Sequence, residues 1–123
     1  MLAKLSAAGA ALFLIAASSP DTLTGKYSGQ LEGGGGDLTI SGAAPRYQAA
    51  IDVGARGCMG AVEGPLTVLG PNKMVLTAKA DGGDVCTVTM TRDGARWNLV
   101  EDQCLFFHGA ACGFTGAVSK VAP

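Results

Sequence analysis

The chain has 123 residues, with nine basic against ten acidic side chains and a formal charge of −1. That length accommodates one domain. The basic residues are scattered rather than gathered into a stripe, which argues against nucleic acid as a partner, because phosphate binding needs a concentrated positive face.

In chain order, the first feature is a secretory signal over residues 1–18. Lys4 supplies the positive start, residues 5–17 form a short uncharged apolar stretch, and Ala16, Ala17, Ser18 and Ser19 offer small residues for a peptidase. The apolar stretch is shorter than the roughly 20 residues that span a bilayer. Cleavage after Ser18 removes Lys4 alone among the charged residues, leaving eight basic against ten acidic and a charge of −2. The expected location is periplasmic or secreted. The first cysteine is Cys58, far from the cleavage point, so no lipid anchor is expected there and no stable membrane insertion after cleavage.

A short segment, 19–24, then leads into a single domain over 25–120. Its predicted strands are 26–31, 37–41, 47–53, 59–63 with a possible extension over 66–69, 73–79, 85–92, 96–101 and 114–119. Each is short, β-prone and bounded by Gly, Pro, Asn or Asp. The glycine run 33–36 reads as a mobile loop. Tyr47, Ala49, Ile51 and Val53 alternate with Gln48, Ala50 and Asp52. Cys86, Val88 and Met90 share one face of their strand, while Thr87, Thr89 and Thr91 share the other. Asp93-Gly94 is the strongest hairpin signal, suited to a type I′ turn. It leads to Trp97 and Leu99 on a common, core-facing side. About eight strands with short links and no mature helix predict an all-β fold. The expected form is a small antiparallel up-and-down β-barrel, with a two-sheet β-sandwich as the alternative.

Four cysteines, Cys58, Cys86, Cys104 and Cys112, are separated by 27, 17 and 7 residues. No Cys-x2-4-Cys knuckle or Cys-x-x-Cys pair exists, so disulfides are expected rather than a metal site or redox centre. Alternating strand direction puts all four at one pole of the barrel. Three pairings are open. The short intervening loop favours Cys104–Cys112, and hence Cys58–Cys86, which must skip a strand by bending under the floor.

Catalytic constellations are absent. His108 is the one histidine, and the neighbours Glu101 and Asp102 point to opposite faces of a strand. Asp81-Gly82-Gly83-Asp84 reads as a turn. No catalytic residue, metal or cofactor is assigned. The excess apolar character lies in Cys104-Leu-Phe-Phe-His-Gly-Ala-Ala-Cys112. One of Phe106 and Phe107 is expected to plug the barrel mouth, the other to be offered with His108 to a partner.

The Gly25-Lys26-Tyr27-Ser28-Gly29 strand, the Cys112-Gly113-Phe114-Thr115-Gly116 run and the four late cysteines together resemble small periplasmic β-barrels of the lysozyme-inhibitor-like kind. The resemblance implies a cofactor-free envelope protein that binds and blocks lysozyme-type glycan hydrolases. In inhibitors of the membrane-bound type a Ser-Gly loop ending in tyrosine enters the enzyme cleft. Residues 41–47 are loosely similar to it, which adds Ser41 and Tyr47 to the partner-binding candidates. Val118 stands where an aromatic is expected. The competing functions are a lipocalin-like ligand carrier and an envelope structural or stress protein, with an enzyme last.

Overall fold

The computed structural model describes residues 23–121; the signal segment 1–18 and most of segment 19–24 lie outside them. Eight strands follow one another: β1 (Gly25–Leu31), β2 (Gly34–Ala43), β3 (Arg46–Ala55), β4 (Cys58–Gly70), β5 (Lys73–Lys79), β6 (Val85–Asp93), β7 (Arg96–Asp102) and β8 (Gly116–Lys120). Each pairs antiparallel with the next, and β8 returns to β1, from Tyr27↔Lys120 to Leu31↔Gly116. The barrel is closed, so the sandwich is ruled out.

The period-2 pattern does the sorting. Tyr47, Ala49, Ile51 and Val53 are buried along β3, and Met74, Leu76 and Ala78 along β5. Their neighbours face water. Leu38, Ile51, Leu76, Val88, Met90 and Phe114 are completely buried in the interior. A fully buried side chain of this size contributes about 1.5–3 kcal/mol. Trp97 and Leu99 lie in this core, as their alternation requires. Arg92, opposite Trp97 on the neighbouring strand, stacks its guanidinium 5.3 Å from the Trp97 ring centre.

Three local expectations are corrected. Gly34, Gly35 and Gly36 belong to β2, and only Gly33 is left to a turn, at φ 83°. The extension of the segment after Cys58 over 66–69 holds instead: the two form one long strand, with a register shift between Val68 and Gly70. The last strand starts at Gly116, because Phe114 turns into the core before the strand begins. At the β6–β7 hairpin Asp93 pairs with Arg96, so the turn is Gly94-Ala95. Gly94 alone has positive φ there, as in a type II′ turn.

All four cysteines gather at one pole, as the meander demands. The pairing, however, is Cys58–Cys112 and Cys86–Cys104. Strand adjacency decides it. The last β6–β7 pair is Thr87↔Asp102, which leaves Cys86 beside the outgoing chain, with its Cα 4.6 Å from that of Cys104. Cys112 then crosses the floor to Cys58 at the start of β4. The bridges span 54 and 18 residues, worth about 4 and about 3 kcal/mol on the chain-entropy account. Disulfides of this kind belong to an oxidising environment.

Candidate functional site: the bridged floor loop

Every connection at the pole opposite the cysteines is a two-residue turn. At the cysteine pole, residues 103–115 instead run across the barrel floor from β7 to β8. The reason lies in β4. It pairs with β3 from Cys58 to Leu66, whereas its pairing with β5 begins only at Leu66. The early half of β4 therefore presents an edge, and an uncovered edge invites pairing with another chain. The floor loop covers it. Gly60 forms an isolated antiparallel bridge with His108, and the Gly109 N–H donates to the Met59 carbonyl at 3.1 Å. A Cβ at Gly60 would collide with the His108 Cβ, so glycine is required for this approach.

Within the loop a short 3-10 turn, Leu105–Phe107, separates two environments. Phe107 packs against the core. Leu105 and Phe106 point outward, 73% and 68% exposed. Phe106 is therefore the outward ring and Phe107 the inward one, but neither is the plug expected of this pair. The central plug itself is Phe114.

His108 is not offered to a partner. Its side chain is 4% exposed, wedged edge-on against the Phe114 ring at 5.1 Å. Nε2 lies 2.9 Å from Glu101 Oε2 and Nδ1 lies 2.6 Å from the Gly109 carbonyl. Both neighbours are acceptors, so only the doubly protonated imidazolium satisfies both. Burial pulls the pKa down, but the Gly109 carbonyl and the Glu101 carboxylate, with the charge of Glu32 behind them, outweigh it. The net direction is upward from the ordinary 6.5. Glu101 Oε1 accepts from the Phe114 N–H at 2.6 Å. One carboxylate thus ties the histidine and the plug residue to β7. With both ring nitrogens engaged in this way, the pair clamps the loop to β7.

Ser41 and Tyr47 sit at the opposite pole, flanking the Ala44-Pro45 turn. Ser41 is exposed, while Tyr47 is buried in the core. The two groups of partner-binding candidates are therefore not brought together. Among the described residues no three His, Cys, Asp or Glu side chains form a metal-ligating group. No helix there is long and apolar enough to cross a membrane. Comparison of the chain with known protein families, curated proteins and solved structures gives no match.

Sequence reading missed Glu101 as a site residue. Its signal was present: Trp97, Leu99 and Glu101 share one face of β7, so a carboxylate stands on the core side and requires a buried partner.

Proposed function

We propose that this is an exported, non-enzymatic binding protein of the periplasm or secreted fraction, and that it grips a partner protein with Leu105 and Phe106. A single observation carries the reading: two adjacent large apolar side chains face water on a loop fixed by two disulfides, a β-bridge and a buried His–Glu pair. A loop held in this way loses little ordering entropy on binding, and aromatic anchors dominate interface energies. The large apolar side chains packed inside the barrel argue against a ligand carrier.

The first partner to test is a lysozyme-type glycan hydrolase, on the strength of the resemblance at both ends of the domain. The oxidised protein is assayed for inhibition of peptidoglycan hydrolysis by a c-type and a g-type lysozyme, alongside Leu105→Ala/Phe106→Ala. Inhibition weakened by about 1–2 kcal/mol in the variant, with unchanged melting, supports the reading. Inhibition that the variant retains in full moves the contact to residues 41–47. Absence of inhibition and of complex formation with either enzyme removes lysozyme as the partner.

A further inference from the structure

The outer face of β1 to β4 carries a groove of about 660 Å³ beside the floor loop. Its register explains the shape. Gly35 faces Gly54 across β2 and β3, and Met59 follows on β4; in the next row Asp37 faces Asp52, followed by Ala61. The floor is thus bare backbone, walled by Met59, 78% exposed, and by two carboxylates.

Three choices here work against stability. Glycine in a strand weakens it unless something needs to approach the backbone closely, and Gly35 and Gly54 are both paired, each one residue from a strand end. At Gly54 a Cβ would meet nothing within 4 Å, and at Gly35 the nearest atom would lie at an ordinary 3.7 Å. Neither residue has positive φ. The fold therefore does not demand either glycine. In the adjacent row, like charges placed directly opposite one another are destabilising. Asp37 is relieved by Lys26 at 3.7 Å and by the Ser28 hydroxyl. The Asp52 side chain is exposed and has no ion-pair or hydrogen-bond partner among the described residues.

Costs gathered on one concave surface indicate selection for a ligand rather than for the barrel. We propose that the groove seats an extended segment of a partner polypeptide. Its backbone lies over Gly35 and Gly54, and a lysine or arginine of the segment is held by Asp52 beside Asp37. Charge complementarity selects this occupant: the wall offers acceptors and negative charge, and the bare glycines admit a main chain. This inference goes beyond the loop reading and does not use Leu105 or Phe106.

The test is NMR titration of the ¹⁵N-labelled, oxidised protein with acetyl-Gly-Arg-Gly-Arg-Gly-amide, its glutamate counterpart and chitohexaose. The arginine peptide is expected to give saturable shifts at the Gly35, Gly54 and Met59 amides. Asp52→Asn and Gly54→Thr weaken them by about tenfold, both variants melt no lower than the wild type, and Leu105→Ala/Phe106→Ala leaves them unchanged. The proposal is overturned by an absence of saturable shifts, or by shifts that survive Asp52→Asn. Equal shifts from the glutamate peptide or chitohexaose overturn it too, as does a Gly54→Thr protein that melts several degrees lower, since the glycine would then be structural.

Discussion

The two poles of the barrel close by different means. At the pole opposite the cysteines, strands pair to their ends, as at Ala43↔Arg46, Gly70↔Lys73 and Asp93↔Arg96, and two-residue turns join them. Trp97 seals that end from inside, under Arg92. At the cysteine pole a long connection must cross the floor and mask half an edge of β4. Repeating backbone bonds do not hold such a path, so two disulfides and the His108–Glu101–Phe114 cluster do so. Apolar side chains exposed on the covalently fixed floor can serve recognition without loosening the barrel.

The largest expected effects fall on the two aromatic seals. Trp97→Ala and Phe114→Ala should each cost about 3–5 kcal/mol in denaturant unfolding. Their local consequences separate the poles. Phe114→Ala should speed amide exchange at Phe107 and Gly109, whose N–H groups bond within the floor, while Trp97→Ala leaves those amides as protected, relative to global unfolding, as in the wild type. Equal loss of floor protection in both variants would mean that the barrel opens as one unit and the contrast between poles has no energetic content.

A smaller effect belongs to the floor alone. The His108 pKa is raised on folding, so the protonated form contributes stability that is fully present below the unfolded value near 6.5. That contribution fades as the pH climbs through the folded pKa above it. One charge-assisted hydrogen bond is at stake, so the unfolding midpoint should fall across that window. His108→Gln should flatten the dependence. A wild type whose unfolding midpoint is constant through the window, or a variant with the same slope, would remove the clamp from the floor's energetics.

Most of this architecture was legible from alternation, because a strand's inward residues are fixed by period two and the turns by Gly, Pro, Asn and Asp. The strand number, the core position of Trp97 and the polar clustering of the cysteines followed. The pairing did not. Loop length favoured Cys104–Cys112, whereas adjacency of the sixth and seventh strands places Cys86 against Cys104. The same adjacency rule counted against Cys58–Cys86 from the start. The His108–Glu101 pair is harder to read, because it shows only once Glu101 is placed on the Trp97 face of its strand rather than beside Asp102. The groove was illegible for another reason. Gly35↔Gly54 and Asp37↔Asp52 meet only through cross-strand register, and no local pattern announces which glycines a fold could do without.

The smallest expected effect sharpens the comparison within the loop itself. Phe106 and Phe107 are neighbours on one 3-10 turn, yet one faces water and the other packs on the core. Truncating Phe106 removes apolar surface that is already solvated, so Phe106→Ala should change unfolding free energy by no more than about 0.5 kcal/mol. Phe107→Ala removes contacts under the loop and should cost more than about 1 kcal/mol. Measured side by side in denaturant, the pair tests whether exposure alone decides the cost, since position, turn and tethering are shared. Equal losses would show that Phe106 holds the turn together, and its exposed ring would then be part of the scaffold. A neutral Phe106→Ala beside a destabilising Phe107→Ala would leave the outward ring with no part in stability, the condition under which a binding role can be measured free of folding.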